Sequence, residues 1–296
     1  MPPNKSLDSR GGNPPLPPGG GPQLNAFHDF GATIKWVKRL DTDREGNQGY
    51  VFQVIIGSSE YALKVFKFSH PKLDQIYQDF ILERELPLNQ AIWYTDPFYA
   101  ECRAYGRIRE GFESRLVTEQ TAVKCHGYLL LNKNDARWLR KEGIDLDDEL
   151  LDQELRGAMG GDTRVRAIVK RLEKNTTVIH AGNIRKAWRS VRLLNDRLKI
   201  YNMDIKADNF IGSRLVDFGS SWTEPHKLLE FLEEKREKMG KSLRLKDKVN
   251  FEEMIEEEEI RTRLQVFAKS KHQLRSKGEP EWAGRELPKR RRITLK

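Results

Sequence analysis

The stretch Asp204-Ile205-Lys206-Ala207-Asp208-Asn209 places a carboxylate, an ammonium and a carboxamide within one short loop. Transfer of a phosphoryl group to a hydroxyl needs those groups in separate roles. Asp204 would face the hydroxyl as base, Lys206 would offset the charge of the moving group, and Asn209 would offer an amide oxygen to a metal ion. Asp217-Phe218-Gly219 follows the hairpin-like NFIGSRLV, with apolar Leu215-Val216 directly before it. Asp217 would be a second oxygen ligand of the metal, and Gly219 would permit the turn behind it. Upstream, Tyr61-Ala62-Leu63-Lys64 ends on a lysine inside an apolar run, a type suited to holding phosphates. Gly46 and Gly49 flank a turn before Tyr50-Val51, where a backbone without side chains can approach a phosphate. Val51, Ala62 and Val169 supply apolar surface for a base. Short strings of this kind are each frequent by chance; the information lies in their order. Together they imply a phosphate-bearing ligand and a magnesium ion. Lys64 needs a helical carboxylate as partner, and Glu101 is the candidate, with Glu83 and Glu85 open as competitors.

These residues need elements to hold them. TIKWVKRL, YVFQVIIG and EYALKVFKF are short apolar or β-branched runs separated by turn residues, which predicts three successive antiparallel strands. DQIYQDFILEREL and DPFYAECRAYGRI carry helical periodicity, and AVKCHGYLLL and VRAIVKRL read as buried strands. The acidic stretch from Asp145 to Glu154 reads as a helical insertion on the surface. NIRKAWRSVRLLNDRLKI sets Ile184, Trp188, Val191, Leu194 and Leu198 on one face of an amphipathic helix. NFIG and RLVDF form a short hairpin, and helix-forming, heavily charged sequence follows His226. The order predicts an α+β chain with a β-rich first lobe and a helical second one.

With 296 residues, 38% of them hydrophobic, the chain is long enough for a sizeable core. No run of apolar residues is long enough to span a bilayer, and the N-terminus has no apolar signal core, so no membrane partner is expected. Two cysteines, Cys102 and Cys125, exclude a disulfide framework and suit a reducing compartment. Residues 1–26 hold seven of the thirteen prolines and read as a disordered tail, residues 27–225 as the folded body, and 226–296 as a charged helical extension. The net charge is +9, of which +6 falls from His226 onward. The basic run at 289–292 could act as a nuclear import signal or contact nucleic acid.

The strings resemble the catalytic loop, metal-binding turn and lysine strand of the protein-kinase-like superfamily. YALKVFKF, DPFYAECRAYGRI, AVKCHGYLLL, RAIVK and LVDFGSSWTEPH are similar to one fungal family, the kinase-related Fta-type subunits of the inner-kinetochore Sim complex. The resemblance covers roughly residues 27–226. It implies a bilobed kinase-like fold with a reduced C-lobe, RAIVK entering a hinge that faces adenine, kinetochore protein partners and a nuclear setting. Three positions depart from the superfamily pattern: Arg44 stands for the first glycine of the loop, and Asn202 and Met203 stand where His and Arg are usual. An A-P-E segment after Gly219 is missing. The expectation is an ATP-Mg binding domain able to transfer a γ-phosphoryl group to an unknown substrate. Its rivals are a catalytically weak or inactive pseudokinase acting as a structural subunit of the kinetochore and a nucleic-acid binder acting through the basic tail.

Overall fold

A computed structural model describes residues 13–17, 19–41, 48–73, 86–117, 121–174 and 177–267. Five strands form one antiparallel sheet in the order β1-β2-β3-β5-β4. These are β1 (Ile34–Arg39), β2 (Gly49–Ile56), β3 (Ser59–Phe66), β4 (Cys125–Leu130) and β5 (Arg166–Arg171). The three-strand meander and the two later strands are those the sequence predicts. β5 inserts between β3 and β4, which puts two lysine-bearing strands side by side.

Register then decides which residues can meet. Lys64 lies opposite Val51 on one side and Ile168 on the other, and Ala62 lies opposite Lys170. Side chains directly opposite share a face, so Val51, Ala62, Lys64 and Lys170 all point the same way. Val169 is opposite Leu63 and therefore points to the other face, fully buried. Val169 thus does not line a site with Val51 and Ala62, a correction that follows from the two-residue period of a strand.

The lysine-bearing face is covered by α2 (Pro97–Glu113), which follows α1 (Leu88–Thr95) after a single residue. That residue, Asp96, caps α2 by accepting from Phe98 N at 2.9 Å, and Pro97 occupies the first turn, where a missing N–H costs nothing. Asp96 is buried because Arg166 on β5 pairs with it at 2.8 Å and Ser69 Oγ donates to it at 3.0 Å. The opposite face packs against α3 (Lys133–Lys141), with Trp138 stacked on Trp36 at 4.6 Å. The acidic stretch that follows is mostly irregular, with α4 (Gln153–Ala158) starting only at its end. It is not a free surface helix: Leu146, Leu151 and Leu155 are buried, and Asp147 and Asp148 pair with Lys67 and Arg140.

The second half of the chain holds α5 (Ile184–Asp196), β6 (Ile200–Tyr201), the hairpin β7 (Phe210–Ile211) and β8 (Arg214–Leu215), then β9 (Trp222–Thr223) paired with β6. Ile184, Val191, Leu194 and Leu198 are buried, as the helical period requires. α6 (Lys227–Lys235) and α7 (Glu237–Glu257) close this part. Their buried residues contradict a boundary at 225/226. Phe251 of α7 contacts Trp188 at 5.0 Å and Phe210 at 6.3 Å, so α7 belongs to the core of the body.

Part of the segment expected to be disordered, residues 1–26, is packed onto the body. Leu16, Pro22 and Leu24 are buried. Tyr128 Oη donates to Pro14 O at 2.6 Å, Trp93 Nε1 donates to Gly20 O at 3.2 Å, and Phe27 N donates to Tyr128 O at 2.8 Å. This strap pairs with the outer edge of β4, supplying partners to a strand that would otherwise expose its amides. The helix expected at DQIYQDFILEREL spans residues 74–86 and lies, but for Leu86, outside the described residues, as does the basic C-terminal run. No helix among the described residues is long and apolar enough to cross a membrane.

Candidate functional site

Where β3, β5 and α2 meet the segment after β8, four charged side chains converge. Lys64 Nζ lies 2.9 Å from Glu101 Oε2 and 2.6 Å from Asp217 Oδ1. Lys170 pairs with the other oxygen of Glu101 and donates to Val216 O at 2.6 Å. Glu101 is 0% exposed, whereas Asp217 retains 36% exposure. The cluster therefore has a buried end at Glu101 and an open end at Asp217.

Burial by itself would lower the Lys64 pKa, but Asp217 and Glu101 outweigh it and hold the ammonium well above its ordinary range. Burial would raise the Asp217 carboxyl; Lys64 and Lys170 overcome that and hold it well below the usual carboxylate range. Lys64 and Asp217 are thus both charged at neutral pH, and in the cluster two basic side chains face two acidic ones. Gly219 N donates to Asp217 Oδ1 at 2.9 Å, so that oxygen has two donors already.

Asp204, Lys206 and Asn209 form a second group on the loop between β6 and β7. Lys206 Nζ is 2.6 Å from Asp204 Oδ2, and Asn209 Nδ2 donates to Asp204 O at 2.7 Å and to its Oδ2 at 3.1 Å. Asn202 ties the two groups together. Its Nδ2 donates to Asp217 O at 2.6 Å, and its Oδ1 accepts from Asp204 N at 3.2 Å. Asn202, one of the residues that depart from the motif, therefore bridges its halves.

Below the loop lies Asp247 of α7, 1% exposed. Its carboxylate accepts from Asn202 N, Met203 N and Asn195 Nδ2, each at 2.7 Å. Burial raises its pKa, and these three donors oppose the rise. A buried carboxylate needs such donors, and here two of the three are backbone amides of the loop that carries Asp204, the third being the Asn195 side chain on α5. Sequence reasoning missed Asp247, Asn202 and Lys170. For Lys170 there was a signal, since a lysine at the end of the apolar run Ala167-Ile168-Val169 must find a counter-charge.

The remaining expected residues are placed as follows. Glu101 meets Lys64; Glu83, Glu85 and Gly46 lie outside the described residues. Gly49 is buried in β2, and a Cβ there would stand 2.1 Å from Val65 O. Its glycine is thus required by the neighbouring strand whatever its relation to phosphate. Gln48 Nε2 donates to Ser220 Oγ at 2.9 Å, and a Cβ on Gly219 would fall 1.9 Å from Gln48 Oε1. The residue leading into β2 therefore rests on the segment after Asp217. Burial pushes the Cys102 thiol well up and that of Cys125 up to about 12, so neither is an activated nucleophile. His70, Asp152 and Glu154 stand close enough to share a cation, but Glu154 is already bonded to Lys72 at 2.5 Å.

Asp204, Asn209 and Asp217 offer the hard oxygen donors magnesium takes, so the donor types fit that ion. A cation at Asp217 would compete with Lys64 for the same carboxylate. The fit for a nucleotide is poorer, because Gln48 lies on Gly219 and Lys170 crosses the face beside Ala62.

A family model for the kinetochore Sim4 complex subunit FTA2 matches residues 13–222, well over half of the chain. Comparison with curated proteins returned no match. The match begins where the buried strap begins and ends at β9. The chain belongs to the kinetochore Sim4 complex subunit FTA2 family.

Proposed function

We propose that this member of the FTA2 family is a structural subunit of the kinetochore, and therefore nuclear, whose kinase-like core serves as a rigid platform for protein partners. The kinase-like assignment draws on the strand order β1-β2-β3-β5-β4, the Lys64–Glu101 pair between β3 and α2, and the hairpin joining Asn209 to Asp217. One observation carries the platform reading: Lys64, Lys170, Glu101 and Asp217 neutralise one another without any added ion. Phosphate-binding sites present an excess of donors and positive charge to their ligand. Here the positive charge is used within the protein. The short segment from Ser220 to Pro225 leads straight into α6, leaving little chain for a peptide-substrate surface.

The second reading is ATP-Mg binding with γ-phosphoryl transfer, and the coexistence of Lys64, Asp204, Asn209 and Asp217 around Asn202 favours it. In it Lys64 would hold phosphates, Asn209 and Asp217 would hold the metal, and Asp204 would take the proton of the hydroxyl, with Lys206 beside it. Bound ATP-Mg would supply the phosphoryl group and its neutralising cation. A third reading, nucleic-acid binding through the basic C-terminal run, rests on charge alone.

Thermal unfolding of the full chain with saturating ATP, with and without Mg²⁺, separates the first two readings. The platform reading expects no change in Tm. A Mg²⁺-dependent rise that disappears in Lys64→Ala and Asp217→Ala would replace it with the second.

A further inference from the structure

The platform reading leaves open where a partner docks, and α5 supplies a surface for it. Its inner face, Ile184, Ala187, Val191 and Leu194, is buried. Its outer face carries Arg185, Arg189 and Arg192, spaced four and three residues apart and so aligned along one side. With Arg197 they rim a surface cleft of about 360 Å³ whose floor includes Trp188 and Leu193. Among the lining residues Asp196 is the one acidic side chain, and it stands 3.6 Å from Arg192.

We infer that this cleft is a docking site for an acidic protein segment carrying an apolar anchor, as the deepening of the platform reading on which it rests. Three features select that partner. The rim charge is cationic and entirely arginine, whose planar fork pairs bidentately with carboxylates. Leu193 leaves part of its apolar surface exposed on the floor, and an apolar side chain of the partner gains by covering it. Trp188 is 7% exposed and its ring is engaged with Phe251, so no aromatic face is free to stack a base. A nucleic acid would meet the arginines but would leave the apolar floor uncovered. Arginines of this helix are therefore binding groups, and the helix has two functional faces, one for the core and one for the partner.

The test uses the full chain and a fluorescein-labelled twelve-residue peptide of Asp and Glu with two central leucines. Its controls are the same peptide with serine for leucine, and a twenty-base-pair DNA duplex. Fluorescence anisotropy is read for wild type and for Arg185→Glu/Arg192→Glu, with Tm and circular dichroism to establish folding. The expected result is binding of the leucine peptide that weakens at least tenfold both with serine and in the folded double variant. Comparable affinity in the double variant, or no preference for leucine, would overturn the proposal. So would a duplex that binds more tightly than the peptide and loses that binding in the variant. Failure of the platform reading shows itself separately, as a Mg-ATP shift in Tm, and leaves the anisotropy result standing or falling alone.

Discussion

Substituting Lys170 tests whether the charged cluster is a self-balanced structural unit. Lys170→Met keeps the length and apolar stem of the side chain but removes the charge that answers Glu101 and the donor to Val216 O. Glu101 is fully buried, and Lys64 must then serve both it and Asp217. Removing one partner of a buried pair costs about 3–5 kcal/mol, because the other charge remains buried and unanswered. For a body of this size each kcal/mol moves Tm by about 2–4 °C, so a fall of about 6–20 °C is expected. Glu101→Leu leaves the opposite imbalance, two lysines against Asp217, and should cost a similar amount. The double variant retains only the Lys64–Asp217 pair, which is balanced at 2.6 Å. It should therefore be more stable than the sum of the single effects implies, with a coupling of about 2–3 kcal/mol. Guanidinium unfolding followed by tryptophan fluorescence measures all four proteins. Additive costs, within about 0.5 kcal/mol, would refute the charge-balance argument and reduce Lys170 to a packing residue.

Two further outcomes follow from buried features outside the cluster. His226 is stacked on Trp222 at 5.1 Å, and burial, reinforced by the Arg103 charge, holds its pKa well below 6.5. The unfolded chain takes up a proton that the folded chain cannot, so stability is present at high pH and lost as pH falls through about 6.5. The loss should reach about 1.4 kcal/mol between about pH 7.5 and 5.5, and His226→Phe should abolish it; the same pH slope in that variant would remove His226 as the cause. Deleting residues 1–26 uncovers the β4 edge and the sites of Leu16 and Leu24, each worth up to about 1.5–3 kcal/mol of burial. Tm should fall and light scattering should report self-association through the bared edge, whereas an unchanged monomer would show the strap to be dispensable.

The meander of β1 to β3, the later strands β4 and β5, helices α2 and α5 and the β7–β8 hairpin were legible because local period and turn residues specify them. Lys64, Glu101 and Asp217 were legible for a related reason: each is a charge in an apolar context, which demands a partner. The strap was misread because composition measures average apolarity. Its docking rests on a few anchors, Leu16, Pro22 and Leu24, and on backbone hydrogen bonds that carry no residue signature.

Asp247 shows the limit most directly. It sits between Lys246 and Lys248 in a 21-residue helix rich in charge, and nothing local separates it from the solvated residues around it. It is buried because three donors of Asn195, Asn202 and Met203 converge on that one turn. A carboxylate's role is fixed by its donors, and those donors lie more than forty residues upstream in sequence. The same reasoning bears on function. A lysine, two aspartates and an asparagine in motif order are compatible with both phosphoryl transfer and a rigid charged core. What distinguishes the two is whether the charges answer one another or are left for a ligand, and Lys170, to which no motif gives a role, supplies the missing cation from within the sheet.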